Sequence, residues 1–312
     1  MIVKKNFNPL KVLFYIWEAL LFSFIIAALV FYFFEIEGVK EVNLPFTPVG
    51  VLGTAVAFFL GFRNNAAYGR WWEARQIWGN TIQYSRTFAR LIITFVDAHR
   101  HTPQYNPAKA PIFKKEMIYR QIAWVHTLRL QLRNQENWAE IRPFLSEDDF
   151  EKLQSKANKA HYLLQIQGQN IYQAMAEGTL QGFDSFQLEG CLAQFAAQQA
   201  SCERIKNTPV PRQYDYFTRV FLYFFLATLP FGLIANLSQI GIAWAVIPLT
   251  LLIALVYSAL DKTGVVNETP FENQIQDIPL TALCREIERD LKESLEENQL
   301  PPKLEPQKGY LF

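Results

Sequence analysis

The stretch LPFTPVGVLGTAVAFFLGFRNNAAYGRWWE, residues 44–73, passes from an apolar run without charges into a block of arginine, asparagine and tryptophan. The apolar part, about 44–62, is long enough for a helix to cross the hydrocarbon core of a bilayer, which is about 30 Å thick. The run stops at Arg63, the first of several basic residues. We therefore predict a transmembrane helix over about 44–62.

Three further apolar runs have a similar length. The first, at about 12–34, contains one ionisable residue, Glu18, and is too long for a cleaved signal peptide. The others, at about 216–235 and 240–259, are separated by the residues NLSQ. Four transmembrane helices are therefore expected. A carboxylate in lipid is costly, so Glu18 is either part of an ion pathway or a paired or snorkelling residue, and we favour the second interpretation.

Basic residues flank the four runs on one side. The short connections between paired runs carry three glutamates and one lysine, or no charge. By the positive-inside rule, both termini and the long middle segment are then cytosolic. The basic flanking residues are Lys4, Lys5, Lys11, Arg63, Arg70, Arg75, Arg212, Arg219 and Lys262.

The middle segment, residues 63–213, shows helical periodicity and almost no alternating strand pattern. We expect a helical cytosolic domain with helices at about 64–99, 113–137, 146–174 and 186–206. The fold class that follows is an all-α membrane protein. Its domains are two transmembrane helices within 1–62, the cytosolic domain at 63–213, two more transmembrane helices within 214–260, and a cytosolic segment at 261–312. That last segment is expected to hold an amphipathic helix and to end in a tail with three prolines.

Two sets of residues recur every four positions in the second run. The first set is Gly53, Ala57 and Gly61; the second is Thr54, Phe58 and Phe62. Small residues at this spacing let membrane helices approach closely. The second set lies about 100° away around the helix. Around a symmetry axis, the small face would pack against a neighbouring second-span helix and the Thr/Phe/Phe face would line a narrow hydrophobic throat. An ordinary buried helix explains the spacing alone equally well.

The composition argues against several function classes. A net charge of +1 and a pI of about 7.7 give no basic surface for nucleic acid. The three cysteines show no CxxC pairing, and we expect reduced structural thiols and neither a metal site nor a cofactor. The common enzyme motifs, such as HExxH, GxGxxG and GxSxG, do not occur. We therefore expect that the chain is not an enzyme.

The residues after the second run, GFRNNAAYGRWWEARQIWGN at 61–80, resemble the signature of the bestrophin family. Two further segments are similar to the family: CERIKNTPVPRQY (202–214) to its cytosolic constriction, and TLPFGL (228–233) to its bacterial third span. The resemblance extends from the first span to about residue 290. The signature residues, which we interpret as structural anchors, are Arg63, Asn64, Tyr68, Arg70, Trp71, Trp72 and Glu73.

The resemblance implies a homopentameric ion channel of a bacterial plasma (inner) membrane, whose partners are further copies of the chain, lipid and permeant monovalent ions. Thr54, Phe58 and Phe62 would form the pore neck, and Val210 a second, cytosolic aperture. Animal bestrophins pass chloride and other anions, whereas some bacterial members favour monovalent cations. The positive ring edges of Phe58 and Phe62 weakly favour anions such as chloride. A cation-selective channel of the same fold and a membrane-anchored scaffold or sensor remain as alternatives.

The resemblance does not extend to the calcium site of the family. Animal members bind calcium through an acidic cluster, whereas this chain reads NETPFENQIQDIP at 267–279. Only Glu272 and Asp277 remain after Phe271, and calcium takes six to eight oxygen ligands. Asp277 is thus a possible remnant of the site that we expect to cap a helix or form an ion pair. We expect no gating by micromolar calcium.

Overall fold

A computed structural model describes residues 1–4, 9–103 and 105–312 of the 312-residue chain, and shows no strand in these ranges. The predicted flanking residue Lys5 lies outside the described residues. The α-helices are α1 (Pro9–Phe31), α2 (Phe46–Ala98), α3 (Lys109–Leu132), α4 (Glu147–Gln154), α5 (Lys159–Ala176), α6 (Gly182–Asn207), α7 (Arg212–Gln239), α8 (Val246–Asn267) and α9 (Leu280–Ser294).

The chain forms two compact units. The first, which we call the span unit, comprises residues 4–71 and 209–269. The second, the polar unit, comprises residues 1–3, 72–208 and 270–312. The 53-residue helix α2 contributes residues to both units. The predicted domain boundaries, at residues 62–63 and 213–214, stay predictions.

The span unit contains the segments that meet the length and hydropathy of a membrane span, four of them in the described ranges. They are Val12–Ile36, Phe46–Ala98, Arg212–Gln239 and Ala243–Asn267. A buried core of small and branched side chains holds α1, α2, α7 and α8 together, with Val56, Leu60 and Ala254 fully buried. Beyond α1 the helix widens into a π-helical turn at Tyr32–Ile36, and a short 3₁₀ turn at Ala243–Ala245 precedes α8.

The polar unit is built around α3, whose residues from Met117 to Leu130 are nearly all buried. Helix α3 packs against α5 and α9, and α5 packs against α6. Aromatic rings fill the centre, where Phe195 lies 5.0 Å from Trp124 and 5.7 Å from Phe88 between ring centroids. The cysteines Cys191, Cys202 and Cys284 are buried and free, in agreement with the expected structural thiols.

Two predicted elements differ from the structure. The helix expected at 146–174 is divided, because α4 ends at Gln154 and α5 begins at Lys159. The side chain of Asn158 accepts the His161 amide at the start of α5 and so caps a new helix there. The predicted tail is also ordered: residues 307–311 form backbone hydrogen bonds with residues 1–3 and with one another.

Candidate ion pathway

Helix α2 has one face that is buried within the span unit. Val49, Gly53, Val56, Leu60 and Arg63 follow one another at intervals of four and three residues, and each is at most 8 % exposed or in close contact with another helix. This spacing places them in one stripe along an α-helix. The stripe packs on α7 and α8 through Leu222, Phe225 and Ala254. The orientation of α2 around its own axis is thereby fixed.

The opposite face carries the predicted neck residues. Phe58 is 65 % exposed and Phe62 is 73 % exposed, and Thr54 is exposed one turn earlier. The Thr54 hydroxyl donates to the Gly50 carbonyl at 3.0 Å and so needs no other partner. Two large rings four residues apart therefore form an apolar column that the span unit of one chain leaves uncovered. Whether these residues line a pore stays a prediction.

The structure corrects one part of the small-residue stripe. An added Cβ at Gly53 would lie 2.7 Å from the Phe225 ring of the same chain, so Gly53 is already packed against α7 and not against a neighbouring second-span helix. Its carbonyl also accepts the Tyr257 hydroxyl at 3.1 Å. Ala57 and Gly61 are exposed, and no atom would lie within 4 Å of a Cβ at Gly61. These two stay candidates for contact with another copy.

Arg63 and Asn64 join α2 to the other helices where the apolar run ends. Arg63 Nη1 lies 2.8 Å from Asp261 Oδ1 and 3.2 Å from Asp215 Oδ1, and Asn64 donates to the Leu260 carbonyl at 2.9 Å. The side chain of Arg63 is only 6 % exposed, so its charge requires these partners. Gly264 provides the room, since its Cβ would lie 3.0 Å from two Arg63 nitrogens. These contacts support the structural interpretation of the two signature residues.

The other signature residues also make structural contacts. Tyr68 stacks on Trp71 with 6.3 Å between ring centroids. Arg70 Nε donates to the Glu268 carbonyl at 3.0 Å, and Glu73 accepts from Arg204 at 2.5 Å. Trp72 is 47 % exposed. Arg70 and Glu73 thus each contact another segment of the chain.

Sequence reasoning missed the residues that complete this site on α7 and α8. Asp215 and Asp261 counter the charge of Arg63, and Phe225 fills the space at Gly53. The position of Asp261 at the end of an apolar run could have marked it as a candidate from the sequence. Its partner Arg63 on α2 is 198 positions away, and local patterns do not reveal such a partner. Val210, the predicted aperture residue, is half-buried and lies in the short link of the chain that follows α6 and precedes α7, with a proline on either side.

Comparison with known proteins identifies the fold. The family model for the bacterial and fungal bestrophin proteins matches residues 7–293. The chain belongs to this bestrophin family. A bestrophin homologue from Klebsiella pneumoniae has a crystal structure that superposes with a TM-score of 0.80 at 27 % identity, covering 92 % of this chain and all of that one. Together with the four candidate spans, membership makes this chain an integral membrane protein.

Curated bacterial relatives are similar to this chain over most of their length. The voltage-dependent anion channel-forming protein YneE of Salmonella typhi is 30 % identical over 295 residues, which is 95 % of this chain and 91 % of the relative. YneE of Escherichia coli K12 is 32 % identical over 273 residues, covering 88 % and 83 %. The voltage-dependent anion channel-forming protein mll4386 of Mesorhizobium japonicum is 32 % identical over 266 residues, which is 85 % of this chain and 80 % of the relative.

The calcium site of animal bestrophins does not fit the residues found here. Glu272 accepts from the Lys206 ammonium at 2.7 Å. Asp277 is 1 % exposed, and its Oδ2 accepts a hydrogen bond from the Gln274 backbone amide at 3.0 Å. It therefore caps a turn, whereas we expected it to cap a helix or to form an ion pair. Burial raises the pKa of the Asp277 carboxyl and outweighs the backbone hydrogen bonds that lower it. A buried carboxyl whose pKa is raised and a carboxylate that is paired with lysine make a poor calcium site.

Proposed function

We propose that this bestrophin is the pore-forming subunit of a homopentameric channel for small monovalent ions, with a weak preference for anions such as chloride. The names of the curated relatives, which describe anion channel-forming proteins, support conduction of anions. In this proposal the chain is a channel subunit and not an enzyme. Its membrane is the bacterial plasma membrane, and both termini and residues 63–213 are cytosolic.

The observation that carries the proposal is the uncovered aromatic column on α2. A scaffold with four membrane helices needs buried helix faces but has no use for Phe58 and Phe62 on the face that the subunit leaves free. Five copies of this column around an axis would form a narrow apolar neck together with Thr54. Such a constriction excludes water and therefore closes the pathway until it widens.

The proposed pathway has a second constriction at Val210. Pro209 and Pro211 restrict the backbone on both sides of this residue, and Pro211 is the N-cap of α7. A small apolar side chain held in this way would define the width of an aperture without attracting either sign of charge. We therefore assign size discrimination to Val210 and gating to the neck.

Selectivity is proposed from ring geometry. The edges of Phe58 and Phe62 carry partial positive charge, and an anion on the axis would meet these edges if the rings point inwards. This preference is weak, because the partial positive charge at a ring edge is much smaller than the full charge of an ammonium or guanidinium group. A cation-selective channel with the same neck is the second candidate, and the test separates the two.

The test is current recording from the purified chain in planar bilayers under a potassium chloride gradient. A reversal potential displaced from zero towards the chloride equilibrium potential supports the proposal, and one displaced towards the potassium potential assigns a cation channel. Phe58→Ala combined with Phe62→Ala should raise conductance or open probability, because the neck becomes wider and wetter. Phe221→Ala, an aromatic truncation on α7, is the control and should leave the current unchanged. Absence of current from a correctly assembled protein would favour the scaffold.

A further inference from the structure

A cavity of about 120 Å³ lies within the span unit between α1, α7 and α8. Glu18, Arg219 and Lys262 line it together with Tyr223, Ser258 and Asp261. Glu18 is nine residues from the start of α1, and Lys262 is five residues before the end of α8. At 1.5 Å per residue these positions are about 8–14 Å from the predicted cytosolic helix ends. The cavity is therefore expected at the depth of lipid headgroups and their ester linkages.

Two opposite charges in this cavity have no counter-charge. Among the residues that the structure describes, neither Glu18 nor Lys262 has an ion-pair partner within 4.0 Å, and they do not pair with each other although they line one cavity. The other two charges are engaged: Asp261 with Arg63 at 2.8 Å, and Arg219 with Asp215 at 3.0 Å. A carboxylate that can accept hydrogen bonds from a cation and an ammonium that can donate to an anion thus line one cavity without pairing.

A buried hydroxyl group adds a second polar requirement. Ser258 is 3 % exposed, and its Oγ has no hydrogen-bond partner among the described residues. A buried hydroxyl without a partner destabilises the fold, because its hydrogen bonds with water are lost and not replaced. Because Ser258 lines the cavity, a ligand oxygen there would satisfy it.

We propose that this cavity binds the phosphoethanolamine headgroup of a membrane phospholipid. The phosphate would accept hydrogen bonds from Lys262, Arg219 and Ser258, and the primary ammonium would donate to Glu18. This arrangement satisfies one positive and one negative group at once, which a purely anionic headgroup does not. A choline headgroup lacks N–H donors and so forms no hydrogen bond with Glu18.

The surroundings of the cavity favour a lipid over a soluble ligand. Tyr15 is 59 % exposed and Val265 is 37 % exposed, and both line the cavity mouth. Further along the same helices, Trp17 and Val256 are about half exposed. Acyl chains attached to the headgroup would lie along these apolar side chains. The occupant is therefore the headgroup of a lipid already present in the membrane.

The test measures lipid retained by the purified full chain with native mass spectrometry in mixed micelles of detergent and one added lipid. The lipids are dioleoyl phosphatidylethanolamine, phosphatidylglycerol and phosphatidylcholine. An ion pair near a protein surface, such as that proposed between Glu18 and the ammonium, contributes up to about 1 kcal/mol, which corresponds to about fivefold in affinity. We expect the ethanolamine lipid to be retained about fivefold better than either other lipid.

Two variants and matched controls assign the contacts. Glu18→Gln should abolish the preference for phosphatidylethanolamine over phosphatidylglycerol, while phosphatidylglycerol is still retained. Lys262→Gln should weaken the retention of both phosphatidylethanolamine and phosphatidylglycerol about fivefold. Glu41→Gln and Lys303→Gln, which alter exposed charges outside the cavity, should change nothing. Equal retention of the three lipids, or an unchanged ethanolamine preference in Glu18→Gln, would overturn the proposal. If millimolar free phosphoethanolamine displaced the lipid, the assignment of the cavity to a lipid headgroup would be overturned in favour of a soluble ligand.

Discussion

At Gly53 the backbone of α2 lies directly against an aromatic ring of α7. The substitution Gly53→Ala places a methyl group 2.7 Å from Phe225, so the ring or the helix must shift. Overpacking of this kind costs about 1–3 kcal/mol. We expect a lower melting temperature for Gly53→Ala in detergent, measured by intrinsic fluorescence.

Gly50, one turn earlier on α2, offers a matched control. A Cβ at Gly50 would lie 3.6 Å from the Phe46 ring, which is an ordinary contact. Gly50→Ala should therefore leave the melting temperature unchanged or raise it, because alanine favours a helix by about 0.5–1 kcal/mol over glycine. If both variants melt at the same temperature, the close approach of α2 and α7 at Gly53 is incorrect.

Asp277 leads to a prediction about calcium at the level of one residue. Its Oδ2 is committed to the Gln274 amide, and Glu272 is paired with Lys206. Calcium titrated from nanomolar to micromolar on the cytosolic side should therefore leave the open probability unchanged. A rise in open probability that Asp277→Ala abolishes would show that this turn is a calcium sensor.

The same residue gives a pH dependence of stability. Because burial raises the pKa of Asp277 in the folded protein, its contribution to stability is complete below pH 3.8 and declines as pH rises through the raised pKa. Asp277→Asn stays neutral at every pH and should melt at or above the wild-type temperature at pH 7. Asp277→Ala should melt lower, since the Gln274 amide loses its acceptor in a part-buried hydrogen bond. A wild type that is more stable than Asp277→Asn at pH 7 but not at pH 4 would show an ionised carboxylate.

At the scale of elements, the junction of α2 and α8 depends on Gly264. A methyl group there would lie 3.0 Å from two Arg63 nitrogens and still closer to Asn64 Oδ1. Gly264→Ala should therefore disturb the ion pairs of Arg63 with Asp215 and Asp261. Breaking a buried pair costs about 3–5 kcal/mol. We expect a clear loss of thermal stability in detergent.

The matched control for this junction is Gly69→Ala. Gly69 lies on α2, the helix that carries Arg63, and a Cβ there would have no neighbour within 4 Å. This variant should be as stable as the wild type or slightly more stable. Equal melting temperatures for Gly264→Ala and Gly69→Ala would contradict the proposed role of the Arg63 cluster.

Helices were predictable from local patterns where one residue type dominated. The apolar runs at 12–34 and 44–62 correspond to α1 and to the start of α2, because length and hydropathy alone mark a membrane helix. The break between α4 and α5 was not predictable. It depends on Asn158, whose side chain also contacts Gln199 and Glu203 on α6, and such distant partners leave no trace in local periodicity.

The candidate site was predictable to a similar extent. Helical spacing correctly placed Thr54, Phe58 and Phe62 on one face, and the structure shows that face exposed. Spacing did not reveal that Gly53 belongs to the buried face, because a stripe of small residues looks the same whether its partner is Phe225 or another copy. The tertiary partner decides the role of each small residue.

For the whole molecule, Ala57 and Gly61 are the positions at which assembly can be tested without harm to the subunit. Both are exposed, and Gly61 has open space around it, so Gly61→Leu should leave the melting temperature of the subunit fold unchanged. In the proposed pentamer the same leucine would hold adjacent α2 helices apart, because close packing of membrane helices requires small side chains. The oligomer mass in detergent, measured by light scattering, should therefore fall for Gly61→Leu and for Ala57→Leu. Gly69→Leu, on the same helix two turns later, is the control for a leucine in open space. An unchanged oligomer mass in both Ala57→Leu and Gly61→Leu would remove this face of α2 from the subunit interface, and with it the placement of Phe58 and Phe62 on the axis.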